Sequence, residues 1–369
     1  MIYTFSWPDL IPYILLYTVL ILLATAKYSE QSKARFIFAV LFVFSAVRYG
    51  IGFDYYTYKE AVESVSLAGG DMERWELIPR AVGYLARWTD FQVFVIVMSF
   101  FSLYSVYWAS VRLSISPSMS LLVYSLHPMM FLEGLSIMRN AVAFALILVA
   151  FYYLQKKQVW SSLIIWGIAC FFHKSALIGV LMYPLYFWHF SRLAHLIIFF
   201  VAFLASSLIP KMISVLADHI ALFRVVNFYI ENLASSGGGK LQYINDAIAL
   251  FNFVCWDKLE AVSKNNKYYL AFYNIGVCLW NVFLPLDSTI AMRLGMFYMF
   301  FLILLAPSYQ LIFEEKYRLL ARQLTIVFFV LFVSASFFIV TRAPRGDHLS
   351  YLPYQTIFYK TDYANYLYR

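Results

Sequence analysis

Long apolar runs alternate with short charged clusters along the chain. Read as helices, the runs predict membrane spans near residues 10–26, 35–48, 91–111, 119–137, 140–155, 159–172, 175–188, 194–210, 244–256, 268–286, 293–313 and 323–341. That is about twelve spans, within a range of roughly ten to fourteen, because several runs fall short of the ~20 residues a full crossing needs. Two long polar stretches, 49–90 and 211–243, are expected as loops on one face. Helical periodicity in Tyr58–Ser66 and Met212–Leu233 predicts short amphipathic helices there, lying on the membrane and roofing a cavity.

Between Arg112 and Lys156 the chain runs 43 residues with two charged side chains, Glu133 and Arg139, both near the middle. As helix this stretch is ~65 Å long, enough to cross a ~30 Å hydrocarbon core twice, so the chain must turn there. An arginine at the tip of a membrane hairpin is costly to bury and reads as functional until a structural partner is named.

Composition supports this class. With 63% hydrophobic and 13% charged residues and a mean hydropathy of +0.71 over 369 residues, there is more apolar surface than a soluble core of this size hides. The expectation is an all-α polytopic membrane protein, one integral membrane domain over 1–369. Ala24-Thr25-Ala26 resembles a signal-peptidase site, but Met1–Asp9 holds no Lys or Arg, so the first run is read as a retained span. The cluster Lys27, Lys33, Arg35 then places the N-terminus outside and the first loop in the cytoplasm. Carried forward, the alternation puts 13 bases and five acids inside against 15 of each outside, so the net charge of +8 sits on the inner face. The C-terminal tail, 342–369, falls outside, and the basic pI calls for no nucleic-acid partner.

The two faces differ in their bases. The outer one carries ten Arg and five Lys, the inner one five Arg and eight Lys. Arg offers a planar fork of donors suited to phosphate and carboxylate, so the excess points to an anionic ligand outside. Arg48 at the end of the second span, Arg139 between the fourth and fifth, and Arg293 opening the eleventh share that face. Each alone is compatible with snorkelling or helix capping, while together they suggest one site.

Two candidate bases accompany them. Asp54 follows the two glycines of Tyr49-Gly50-Ile51-Gly52-Phe53-Asp54 and suits a general base, a ligand for sugar hydroxyls or a helix cap. His173, in Phe172-His173-Lys174-Ser175, occupies an outer turn where Lys174 favours the neutral imidazole; a structural role fits it as well. His127 before Pro128 reads as a kink in the fourth span.

Other chemistry is weakly signalled. The six His show no metal-ligand spacing, the three Cys lie in apolar runs, and no disulfide is expected. Asp71-Met72-Glu73 could hold a divalent metal, although an exposed acidic pair on a loop is usually just solvated, and Gly237-Gly238-Gly239-Lys240 lacks a P-loop frame and reads as a flexible tip. The 30 Tyr and 36 Phe fit interfacial belts, and Tyr351-Leu352-Pro353-Tyr354 can also stack on sugar rings.

Arg48 with Gly-x-Gly-x-Asp54-x-x-x-Tyr58, then Arg139-Asn140-Ala141, then Phe172-His173-Lys174-Ser175-Ala176-Leu177, then Arg293-Leu-Gly-Met-Phe-Tyr298 and Tyr351-x-Pro-Tyr354 together resemble the EpsG-like branch of Wzy-type polysaccharide polymerases. The likeness spans nearly the whole chain in order; Asn140 stands where many relatives carry Gln. It implies a GT-C-like glycosyltransferase on the outer face of the bacterial cytoplasmic membrane, acting in O-antigen, lipopolysaccharide or exopolysaccharide synthesis. Donor and acceptor are then glycans on undecaprenyl diphosphate, with membrane lipids, a chain-length regulator and a flippase as further partners. Arg139, Arg293 and Arg48 would hold the diphosphate, and Asp54 or His173 would take the acceptor proton. Tyr58, Glu76, Lys174, Asn140, Tyr351 and Tyr354 would line the substrate. No nucleotide cofactor is required, and the reading leans against a metal. The alternatives are an O-antigen ligase and a lipid-linked oligosaccharide flippase. A flippase places ionisable groups at mid-depth and usually shows a repeat, whereas these charges cluster at span ends.

Overall fold

A computed structural model describes residues 6–64, 71–188, 190–217, 219, 239–338 and 351–359. Among the described residues the chain is helical, without a β-strand. It divides into two compact units, Met1–Ala176 with Arg322–Arg369, and Leu177–Ala321.

In the first unit, helices α1 (Ile11–Thr25) and α2 (Glu30–Ala46) precede the loop helices α3 (Tyr55–Glu63) and α4 (Leu77–Trp88). These are followed by α5 (Phe91–Leu113), α6 (Pro117–Leu126), α7 (Phe131–Ser136), α8 (Met138–Gln155) and α9 (Val159–Phe172). Polar caps mark where helices start: Ser29 accepts the Ser32 N–H ahead of α2, and Asp90 accepts the Gln92 N–H ahead of α5. Helix α8 packs against α5 and α9, and α4 lies over the same pair. Arg87, in the last turn of α4, donates to the carbonyls of Ala61, Val62 and Ser64 and so ties the end of α4 to the end of α3.

The second unit holds α10 (Met182–Phe187), α11 (Arg192–Ala217), α12 (Gly239–Val254), α13 (Trp256–Val262), α14 (Asn266–Phe283), α15 (Ser288–Met299) and α16 (Leu302–Leu305). Helix α17 (Glu315–Ser336) leads back into the first. Gly276 and Gly295 let α14 and α15 meet closely: a Cβ on Gly276 would lie 2.6 Å from the Met299 backbone nitrogen.

Six helical segments among the described residues are long and apolar enough to cross a membrane: Trp7–Thr25, Phe91–Leu113, Met138–Gln155, Arg192–Ile209, Ser288–Ile312 and Glu315–Ser336. Leu193, Ile197, Phe200, Val201, Leu204 and Leu208 of α11 are exposed, which in a helix this apolar is a lipid-facing stripe. The chain is a multi-pass membrane protein.

Three boundaries depart from the apolar pattern. The fourth run, 119–137, is two helices rather than one kinked span: α6 stops at His127, because Pro128 has no N–H to continue the ladder, and α7 restarts at Phe131. The run 194–210 does not end where the loop was expected, since α11 continues to Ala217. Residues 218 and 220–233 of the expected 212–233 helix, Gly237-Gly238, and residues 342–350 and 360–369 of the expected tail lie outside the described residues. Arg293 does not open its helix; Asp287 caps α15, accepting the Ile290 N–H at 2.7 Å, and places Arg293 more than a turn inside.

Candidate functional site

The turn between α7 and α8 carries Arg139 in the first turn of α8. Its Nη1 donates to Glu76 Oε2 at 2.8 Å, and the other oxygen, Oε1, accepts the backbone N–H of Lys174 at 2.9 Å. Glu76 stands immediately before α4, so one carboxylate joins the starts of α4 and α8 to the turn after α9. The guanidinium carbon lies 5.2 Å from the centre of the Trp75 ring and 5.6 Å from that of Tyr58, within cation–π range of both. The Arg139 and Glu76 side chains are 18% and 14% exposed, so they are screened less than a surface pair yet remain reachable.

The turn after α9 adds a hydrogen-bonded chain. His173 ends that helix, and its Nδ1 accepts the Ser175 N–H at 3.2 Å, with the Ser175 hydroxyl 2.7 Å away. Ser175 Oγ in turn donates to Asn140 Oδ1 at 3.3 Å. Arg139, Glu76, Tyr58, Asn140, His173 and the backbone of Lys174 are thereby gathered in one place. Trp75 and Ser175 belong with them and were missed. The nearest signals were adjacency: Trp75 next to Glu76, and Ser175 within the histidine motif.

Arg48 has a different use from the one expected. It is fully enclosed, with Nη1 donating to the Ser45 carbonyl and, at 2.9 Å, to Ser99 Oγ, and Nη2 donating to the Leu135 carbonyl at 3.2 Å. Both terminal nitrogens thus bind the protein itself, and the residue pins α2 and α5 to the end of α7. Gly52 lies against the same turn at φ +106°, where a Cβ would come 2.8 Å from the Leu135 oxygen and from Ser136 Cα. Asp54, next along, donates its backbone N–H to Ser136 Oγ at 3.2 Å. Its carboxylate makes no capping bond to α3, although it occupies the N-cap position.

The segment Tyr351–Tyr359 is stitched to this region. Tyr351 donates its phenol to Glu133 Oε2 at 3.0 Å and accepts from Tyr13 at its carbonyl, at 2.7 Å. Burial, then the Glu133 carboxylate, push the Tyr351 phenol well up, so it stays protonated and a donor. Tyr354 stacks on Phe44, with ring centres 4.1 Å apart. Both tyrosines are committed to internal partners.

In the second unit, Arg293 is partly buried and its Nε makes no hydrogen bond. Asp246, a buried acid within α12, accepts at Oδ1 from Gln242 and Asn281, both at 2.9 Å. Its apolar surroundings along the chain hid it. No cluster of His, Cys, Asp and Glu suited to a metal occurs among the described residues.

An all-helical, multi-pass membrane protein with a partly buried arginine–glutamate ion pair defines the class. The EpsG family model matches residues 34–356, and the chain belongs to that family. Membership carries a polysaccharide-polymerase-like, glycosyltransferase-type function. No curated protein and no solved structure matches the chain.

Proposed function

We propose that the chain joins oligosaccharide repeat units carried on undecaprenyl diphosphate, on the outer face of the cytoplasmic membrane, in Wzy-type O-antigen or exopolysaccharide synthesis. A hydroxyl of the acceptor sugar attacks the anomeric carbon of the donor glycan, the anomeric C–O bond breaks, and undecaprenyl diphosphate leaves with the electron pair. The observation that carries the reading is Arg139, held in the first turn of α8 over Trp75 and Tyr58 with a carboxylate on its fork. Donors fixed where charge grows on a leaving group stabilise the transition state without reorganising.

In this reading Arg139 and the Lys174 N–H hold the diphosphate. Asp54 or His173 takes the acceptor proton. Arg48, Tyr351 and Tyr354 position the turns. The substrate's own diphosphate is the leaving group, so no nucleotide is needed.

Deleting the gene and comparing surface with lipid-linked glycan tests the reading. Loss of a polymerase leaves single repeat units on the surface. Long lipid-linked polymer instead would mean a ligase, single units stranded inside a flippase, and unchanged glycan none of the three.

A further inference from the structure

We infer that the Arg139 site is an exchangeable anion site whose occupant, in the absence of substrate, is the chain's own Glu76 carboxylate, and that a phosphate of a lipid diphosphate displaces it. This rests on the substrate reading above and adds to it a two-state role for Glu76.

Glu76 sits as a bound anion would. Its two oxygens take two donors from different elements, the Arg139 guanidinium at 2.8 Å and the Lys174 N–H at 2.9 Å. A phosphate offers oxygens at comparable spacing with more charge. The grip is also incomplete, since the ion pair uses Nη1 alone and the buried Nε–H of Arg139 makes no hydrogen bond. A diphosphate, with more oxygens than a carboxylate, can engage the rest of the fork.

An uncompensated guanidinium this covered is costly, so an internal carboxylate keeps the empty site stable. Glu76 is suited to leave because it has somewhere to go. It occupies the N-cap position of α4 while its side chain makes no capping bond. The first-turn N–H groups of a helix lack intrahelical partners, and Pro79 at the third position leaves Leu77 and Ile78 as donors. Rotated off Arg139, the carboxylate can cap its own helix, where the macrodipole also favours negative charge. Trp75 and Tyr58 stay over the guanidinium in both states and keep it placed.

The test is equilibrium binding of farnesyl diphosphate to the full chain purified in detergent. Glu76→Gln keeps an acceptor for the Lys174 N–H but loses the charge, a difference of ~1–1.5 kcal/mol between charged and neutral hydrogen bonds. It is expected to bind the probe about tenfold more tightly than wild type. Arg139→Gln is expected to bind it weakest of the three. Glu76→Asp, a methylene too short to span both donors, should fall between Gln and wild type, and it carries the test if the Gln variant does not fold. Unchanged or weaker binding by the folded Glu76 variant overturns the exchange. Tighter binding of inorganic pyrophosphate than of farnesyl diphosphate, or an equal gain with phosphatidylglycerol vesicles, overturns the lipid-diphosphate assignment. The two readings fail separately. Normal glycan after gene deletion with tighter binding by Glu76→Gln removes the polymerase, whereas shortened glycan with no gain in binding removes the exchange.

Discussion

Arg48→Met separates an arginine that builds the site from one that touches substrate. Methionine approximates the length of the side chain and is apolar, so it fills the same space without donors. In the native protein the guanidinium is 0% exposed and serves the Ser45 and Leu135 carbonyls and Ser99 Oγ. Removing it strands three buried acceptors on α2, α5 and α7. Relief of arginine desolvation offsets part of the loss, and breaking one side of a buried charged network typically leaves a net cost of ~3–5 kcal/mol. That corresponds to roughly two to nearly four powers of ten in the folded-to-unfolded ratio. The measurement is the half-life of the folded full chain in detergent at fixed temperature, beside glycan length in cells matched for protein level. The expected outcome is a much shorter half-life, with polymer length per folded molecule largely kept. A variant as stable as wild type that makes no polymer would refute the structural role and return Arg48 to the substrate.

Arg139→Lys keeps the charge and loses the fork; protein level should hold while polymerisation falls ~10²–10³-fold, the usual loss for removing one transition-state donor, as read from glycan length on gels. His173→Gln keeps a hydrogen-bonding amide at the turn but cannot take up a proton; loss of activity as complete as in His173→Ala, in folded protein, assigns the base to His173, and activity largely kept assigns it to Asp54. Gly52→Ala forces a side chain at φ +106° into contact with the Leu135 oxygen, so it should destabilise by ~1–3 kcal/mol and reduce activity without changing accessible charge, measurable by thermal unfolding and glycan length. Tyr351→Phe removes the phenol that Glu133 accepts and should cost ~1–2 kcal/mol of stability.

Hydrophobic pattern located most helices, because lipid and a packed bundle both demand unbroken apolar runs. It could not show where a run breaks internally: Pro128 split the fourth run into α6 and α7, whereas α11 continues past the expected loop boundary. Partners were less legible than segments. Glu76 and Arg139 are 63 residues apart, and Arg48 and the Leu135 carbonyl 87, so neither pair leaves a local signature. Arg48 and Arg139 look alike in sequence, each at the end of an apolar run, and are distinguished only by what folds over them. Trp75 was hidden among many aromatics for the same reason.

The separated motifs become one object once their contacts are traced. Arg48 holds the Leu135 carbonyl, Gly52 rests on Leu135 and Ser136, the Asp54 N–H binds Ser136, and Tyr351 binds Glu133. All four meet the short stretch 133–136, which lies three residues before Arg139. That convergence explains why glycines and a buried arginine accompany Arg139: the turn lies in an otherwise apolar run whose own two charged residues, Glu133 and Arg139, are held by partners distant in sequence. From the other side Glu76 and the histidine turn close on Arg139 and Asn140. The turn is therefore braced by one set of residues and addressed by another. Variants of the first set should lower stability and with it the amount of folded, active protein, whereas variants of the second should change ligand affinity or turnover in a protein that still folds.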